Sequence, residues 1–231
     1  MKYTTIFSSS IKPLVSEEKD KYLAMASLLE VADFVPNLDT DKNIDLLPIA
    51  FNACVVNRVN KNGDVIDTST ATEICENFVN KPINIEHNRQ RVIGTILTAG
   101  YSEFGTDKPL TEEQVKDMKG PFNVTLGGVV WRIVNSDLTD LIEESNDPTS
   151  ENYQGISASW ELGFSDFDLI VIEGEEKNIE NGKTITDASE KEALIERLKS
   201  SGGTGELEEG GKFVYRKVVE QVVPLGIGLT E

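Results

Sequence analysis

The feature that most constrains the fold is a strict alternation of apolar and polar residues between Tyr153 and Phe164. The apolar positions are Ile156, Ala158, Trp160, Leu162 and Phe164, and the positions between them are Ser157, Ser159, Glu161 and Gly163. A period of two is that of a β-strand, whose side chains point alternately to opposite faces. We therefore predict a strand with one face in the core and one open face that carries two hydroxyls and a carboxylate.

Other segments of the chain are also strand-like, and short helices separate them. Strands are predicted at residues 44–59, 82–87, 91–98, 122–134, 167–173 and 213–229. Helices are predicted at residues 16–32, 68–80 and 136–144, with a capping box at Thr111–Gln114 that opens a minor one. Strands dominate this pattern, which predicts an α+β fold with an antiparallel, β-barrel-like core and a few short surrounding helices.

Two segments differ from the rest of the chain. Residues 1–40 are predicted as an N-terminal helical segment, which leaves residues 41–231 as the main domain. Residues 175–211 are charged, poor in aromatic residues and interrupted by glycines, so they are predicted to be a flexible insertion that contains one amphipathic helix at 187–198.

Composition excludes several classes of function. With 40 acidic and 22 basic residues the net charge is −18, and such a chain repels phosphate backbones, so nucleic acid is not an expected partner. No apolar run approaches the about 18 residues of a membrane span, and the N-terminus lacks the apolar core of a signal peptide. Cys54 and Cys75 fit no metal-binding spacing, so neither a metal nor a cofactor is expected.

His87 is the only histidine of the chain, and it lies at the end of a strand-like run, where a loop can expose it. A serine nucleophile needs a base within hydrogen-bond reach, and this imidazole is the only one available. The candidate pair is therefore His87 with Ser157 or Ser159. The same pattern also fits an ordinary half-buried strand with small polar residues on its open face.

The order and context of these segments resemble the prohead maturation proteases of tailed bacteriophages, which are relatives of the herpesvirus assemblin proteases. Gly155-Ile156-Ser157-Ala158-Ser159 is similar to the assemblin pattern of glycine, aliphatic, serine, aliphatic, serine. Residues 53–58, followed by a turn and a helix, are similar to the approach to the histidine in T-even-type prohead core proteases. Residues 130–134 resemble the strand between the two catalytic segments, and the likeness covers about residues 45–175 and 218–230.

Carried onto this sequence, the resemblance makes His87 the general base and Ser157 the nucleophile, with Ser159 as the alternative nucleophile. Assemblins orient the catalytic histidine with a second histidine, which this chain lacks. The third member therefore stays open, and the candidates are Glu161, Asp168 and Glu173, with Glu86 next to the histidine. Backbone N–H groups near Gly226-Ile227-Gly228 are candidates for an oxyanion hole.

The resemblance implies a serine endopeptidase that cleaves scaffold proteins, the major capsid protein and itself inside an assembling phage prohead in the bacterial host cytoplasm. It leaves open whether the enzyme acts as a monomer or as a homodimer, as assemblins do. The alternative is a catalytically inactive capsid-assembly or scaffold protein of the same fold, in which His87 and Ser157 lie far apart or the site lacks a cleft.

T-even-type prohead proteases are associated with cleavage after a glutamate that follows Leu or Ile by two residues. Leu28-Leu29-Glu30 and Leu229-Thr230-Glu231 fit this rule, and cleavage at the first would release the N-terminal segment as a propeptide. The same rule also fits Leu110-Thr111-Glu112 and Leu141-Ile142-Glu143. A pocket for glutamate would need a cation, and the candidates are Arg58, Arg89, Arg91 and Arg132.

Overall fold

The structure is a computed structural model that describes residues 2–8, 39, 41–174, 176–208 and 211–230. The predicted helix at 16–32, the Leu28-Leu29-Glu30 motif and Glu231 lie outside the described residues. The described residues form a mixed α+β fold, which confirms the predicted fold class. No helix among them is long and apolar enough to span a membrane.

Strands are the most common secondary structure among the described residues. In chain order the strands are β1 (Tyr3–Ser8), β2 (Leu46–Val56), β3 (Asp64–Val65), β4 (Pro82–Ile85), β5 (Asn88–Glu103), β6 (Pro109–Leu110), β7 (Phe122–Trp131), β8 (Ser157–Phe164), β9 (Asp166–Glu173), β10 (Lys183–Ile185), β11 (Glu206–Glu208), β12 (Lys212–Val219) and β13 (Val223–Thr230). The α-helices are α1 (Thr68–Ile74), α2 (Glu112–Val115), α3 (Ser136–Ser145) and α4 (Ala188–Leu194). Short 3-10 helices span Cys75–Phe78, Ile179–Asn181, Ile195–Arg197 and Lys199–Ser201.

The larger sheet carries the candidate site. Its strand order is β1-β8-β13-β4-β5-β7-β2, and β6 pairs with β5. Neighbouring strands are antiparallel except for β13 and β4, which run parallel. As a result β13 separates β8 from the hairpin that β4 and β5 form.

The prediction of a β-barrel-like core is wrong, because the larger sheet is not closed into a barrel. Among the described residues no hydrogen-bonded ladder joins its two end strands, β1 and β2. The sheet curls enough for β2 to approach β8, and Ile49, Phe51 and Ala158 line one small internal space. These strands therefore contact each other through apolar side chains. The alternation along a sequence is the same for strands that pack in this way and for strands that pair through a hydrogen-bonded ladder.

The smaller sheet has the order β10-β9-β12-β11, and β3 pairs in parallel with β12. Residues 176–208, for which composition predicts a flexible insertion, contribute β10 and β11 to this sheet and also form α4. The Asp187 side chain caps α4 by accepting hydrogen bonds from the N–H groups of Ser189 and Glu190. Ile185 and Leu198 are buried, so apolar burial fixes this segment although its surface is charged.

The core confirms the alternation in β8. Trp160, Leu162 and Phe164 are fully buried, and the Trp160 ring centroid lies 5.0 Å from that of Phe78. The capping box is also confirmed, because the Thr111 hydroxyl accepts from Gln114 N–H and the Gln114 side chain accepts from Thr111 N–H. Several predicted boundaries differ, and two of them bear on the site. Residues 88–90 belong to β5, and the predicted strand at 213–229 is two strands joined at Glu220 and Gln221.

Candidate active site

A two-residue turn places the histidine. Ile85 pairs with Asn88, so β4 and β5 are joined by Glu86 and His87 alone, with φ angles of 51° and 57°. Hairpin loops of two residues favour left-handed backbone at both positions, which usually selects Asn and Gly. The Glu86 N–H donates to the Leu229 carbonyl at 3.0 Å, which attaches the tip of the hairpin to β13. The imidazole is thereby held next to the middle of the sheet.

A glycine of β13 provides the space for the imidazole. Gly228 lies between Asn84 of β4 and Ser159 of β8 in the strand registers. A Cβ atom on this glycine would lie 2.8 Å from the His87 backbone nitrogen and 3.0 Å from the ring atoms Cγ and Cδ2. Any side chain at position 228 would therefore collide with the histidine.

The imidazole reaches the second serine of β8. His87 Nε2 lies 2.9 Å from Ser159 Oγ, while Ser159 itself is buried and the histidine is half-buried. When the neutral ring carries its proton on Nδ1, the Ser159 hydroxyl donates its hydrogen to Nε2. This is the arrangement in which an imidazole can take the proton of a serine nucleophile.

The first serine, which the resemblance favours as nucleophile, has a different partner. The hydroxyl of Ser157 is hydrogen-bonded to that of Thr230 at a separation of 2.7 Å. The register of β8 against β13 explains the difference, because Ser157 lies opposite Thr230 whereas Ser159 lies opposite Gly228, where the ring fits. The structure therefore brings His87 together with Ser159 and not with Ser157.

One of the three candidate acids lies next to this pair. Glu161 follows Ser159 by two residues on the same face of β8, and its side chain is 19% exposed. Its register partner on β13 is Gly226, so no side chain of β13 stands between the carboxylate and the β4–β5 hairpin. Glu161 Oε1 lies 3.4 Å from an Nη2 atom of Arg89, which follows His87 by two residues.

The other two candidate acids lie on β9 in the smaller sheet. Asp168 lies 3.7 Å from Lys191 Nζ, and Glu173 lies 3.9 Å from Lys212 Nζ. The structure thus does not bring them together with His87. Glu86 occupies the turn beside the histidine, and its side chain is exposed.

The four candidate arginines are dispersed. Arg89 lies at the site. Arg132 forms a bidentate ion pair with Glu143, in which the two N···O distances are 2.7 and 3.0 Å. The Arg58 guanidinium lies 5.2 Å from the centroid of the Phe104 ring, and Arg91 is exposed on β5.

The glycines proposed as oxyanion donors, Gly226 and Gly228, lie inside β13 between two hydrogen-bonded strands. Because these two glycines carry no side chains, they leave space on the sheet face that carries Ser159 and Glu161.

The surroundings of His87 set its protonation state. Partial burial lowers the pKa of His87 below its ordinary value, and the negative charge of Glu161 opposes this by raising it. Burial is the larger effect, so the ring is mainly neutral at neutral pH. A neutral imidazole is the form that a general base requires.

Sequence reasoning named Arg89 and Gly228 but gave them other roles, as a cation for a glutamate pocket and as an oxyanion donor. It missed that Arg89 pairs with Glu161 and that Gly228 makes room for the His87 ring. Two signals point to these contacts: the pairs His87/Arg89 and Ser159/Glu161 share a spacing of two, and glycines at 226 and 228 share one strand face. Such spacings become informative only once the turn and the strand register are known. The chain matches no family model, no curated protein and no solved structure.

Proposed function

We propose that the chain is a serine endopeptidase in which Ser159 is the nucleophile and His87 is the general base. The observation that carries this proposal is the 2.9 Å hydrogen bond between His87 Nε2 and Ser159 Oγ. It replaces Ser157, the nucleophile expected from the resemblance, with the alternative on the same face. The lowered pKa of His87 supports the proposal, because it keeps the base neutral near neutral pH.

In the proposed reaction Ser159 Oγ attacks the carbonyl carbon of a peptide bond while its proton passes to His87 Nε2. The tetrahedral intermediate collapses when the imidazolium gives this proton to the departing amine, which leaves an ester on Ser159. Water then attacks the ester and loses its proton to the same Nε2 atom. The second collapse returns the proton to Ser159 and releases the new carboxylate.

Glu161 is proposed as a positioning residue that acts through His87. The imidazole becomes positively charged in both halves of the reaction, and a carboxylate on the same sheet face stabilises that charge. Arg89 holds the Glu161 carboxylate from the solvent side at 3.4 Å. Asp168 and Glu173 do not fill this role, since Asp168 lies near Lys191 of α4 and Glu173 lies near Lys212 of β12.

The substrates and the setting rest on the resemblance to phage prohead maturation proteases. On that basis the enzyme cleaves scaffold proteins, the major capsid protein and itself during prohead assembly, after glutamate in Leu/Ile-x-Glu, and its fold is related to that of the assemblins. Arg89 supports this specificity, because its side chain is largely exposed next to Glu161, which follows the nucleophile by two residues, and an exposed guanidinium can bind a substrate carboxylate.

The test is cleavage of a synthetic peptide that contains Leu-Thr-Glu, with a peptide containing Leu-Thr-Gln as the control. We expect cleavage after the glutamate by the wild type and by the Ser157→Ala variant, and none by the Ser159→Ala and His87→Ala variants. Undiminished cleavage by Ser159→Ala would overturn the assigned nucleophile. Equal cleavage of both peptides would overturn the specificity alone.

A further inference from the structure

A group of cations lies far from the candidate active site. It consists of Arg58, Lys61, Lys177 and Lys199, which we call the basic cluster. Arg58 packs on Phe104, just beyond the end of β5, whereas His87 adjoins the start of this 16-residue strand. The basic cluster therefore lies towards the opposite end of β5 from the Ser159–His87 pair.

Backbone contacts bring three separate segments together in the basic cluster. Arg58 forms a β-bridge with Asn178, and the Val59 N–H donates to the Lys177 carbonyl at 2.8 Å. The Lys199 ammonium donates to the Lys61 carbonyl at 3.2 Å. The same lysine's side-chain carbons lie 3.5 Å from the Cβ position of Gly63, so the stem packs on the turn. The cluster is thus held by the fold.

The cluster is unusual for a chain of net charge −18. Arg58, Lys177 and Lys199 take part in none of the carboxylate ion pairs of the described residues. Partial burial and the charges of Arg58, Lys199 and Lys61 together lower the pKa of Lys177. Because like charges held this close repel one another, the basic cluster lowers the stability of the folded protein. Binding of an external anion would offset this loss of stability.

We propose that the basic cluster is a docking surface for a short, acidic segment of a partner protein. Carboxylates of such a segment would neutralise Arg58, Lys177 and Lys199, which form no carboxylate ion pair among the described residues. The partner segment must be short because of the net charge of the molecule. A long polyanion such as a nucleic acid would extend beyond the basic cluster and be repelled by the rest of a strongly acidic chain. The proposal does not depend on the peptidase activity.

Fluorescence anisotropy with a labelled peptide of alternating Glu and Gly tests this docking, with alternating Gln and Gly as the neutral probe. We expect the acidic peptide alone to bind, and Lys177→Glu to weaken its binding at least about tenfold. The matched control is Lys42→Glu, which changes an exposed lysine outside the cluster and should leave binding unchanged. Binding should also fall steeply between about 0.05 M and about 0.5 M salt.

Two outcomes would overturn the proposal. The first is equal binding of the acidic peptide by the wild type and by Lys177→Glu. The second is tighter binding of a single-stranded oligonucleotide of equal charge, which would identify nucleic acid as the ligand class. Thermal unfolding of each variant checks that folding is intact, and Lys177→Glu should be at least as stable as the wild type, because it removes a repulsion.

Discussion

The candidate site contains a single imidazole, and the surroundings of this ring determine its protonation state. Because His87 is the only histidine, every histidine signal of the protein belongs to this ring. Its half-buried position disfavours the protonated form, whereas the Glu161 carboxylate favours that form. These opposite effects can be separated by titrating the ring in variants that change one of them at a time.

The first prediction is that Glu161→Gln lowers the pKa of His87 further. The substitution removes the negative charge that raises this pKa and leaves burial, which lowers it. Proton NMR of the ring over a pH series measures it directly. The acid limb of peptide cleavage should move to lower pH in the same variant. Glu173→Gln is the control, since Glu173 lies on the smaller sheet beside Lys212. An unchanged or higher pKa in Glu161→Gln would contradict the assigned role.

The second prediction concerns the glycine beneath the ring. Gly228→Ala places a methyl group 2.8 to 3.0 Å from His87 atoms, so the hairpin tip must move and the hydrogen bond to Ser159 must lengthen. We expect cleavage of the Leu-Thr-Glu peptide to fall at least about a hundredfold, by the cost of misplacing a catalytic group. Gly100→Ala is the matched control, because nothing lies within 4 Å of that position. Equal activity in the two variants would be the contradicting result.

At the scale of elements, the β4–β5 turn holds His87 in a strained backbone conformation. Glu86 and His87 are both left-handed although neither is glycine, and the left-handed region is costly for residues with a Cβ atom. Hairpins of this length usually relieve that cost with Asn-Gly. The turn keeps a histidine instead, and the hydrogen bond from Glu86 N–H to Leu229 holds the tip in place.

The third prediction is that Glu86→Gly stabilises the protein by about 1 kcal/mol, because glycine adopts the left-handed conformation without the steric cost. Urea unfolding measures the change. Glu113→Gly is the control, since the same substitution in the right-handed helix α2 should destabilise the protein by about 1 kcal/mol. A loss of stability in Glu86→Gly would show that the turn is not strained.

The elements also show how far the sequence could predict the site. Alternation predicts β8 and its core face, since Trp160 and Leu162 are buried where a period of two requires it. It cannot choose between Ser157 and Ser159, because both occupy the same face. The choice depends on the register of β8 against β13, which sets Gly228 and not Thr230 opposite the nucleophile. That register joins residues about 70 positions apart and leaves no local pattern.

At the scale of the whole molecule, a buried ion pair within the smaller sheet also contacts residues of the larger sheet. Arg216 of β12 donates from Nε to Asp64 of β3 at 2.6 Å, and the Thr5 hydroxyl of β1 donates to the other oxygen of the same carboxylate at 2.6 Å. The guanidinium also lies 5.2 Å from the centroid of the Phe164 ring of β8. The smaller sheet is thereby attached to β1 and β8 at the end of the larger sheet.

The fourth prediction is that Asp64→Ala destabilises the protein by about 3 to 5 kcal/mol, because it leaves the Arg216 charge buried without a partner. Chemical denaturation provides the measurement. Glu143→Ala is the control, since it breaks a more exposed pair with Arg132 and should cost less than about 1 kcal/mol. Similar losses in both variants would contradict the prediction that Asp64 compensates a buried charge.

The fifth prediction addresses the central claim, that His87 activates Ser159. The most direct measurement is the mass-spectrometric location of the adduct that a fluorophosphonate forms with the folded protein. Activation by the 2.9 Å hydrogen bond predicts an adduct on Ser159, formed in the wild type and in Ser157→Ala and lost in His87→Ala. An adduct on Ser157, or one whose rate of formation is unchanged in His87→Ala, would contradict the claim.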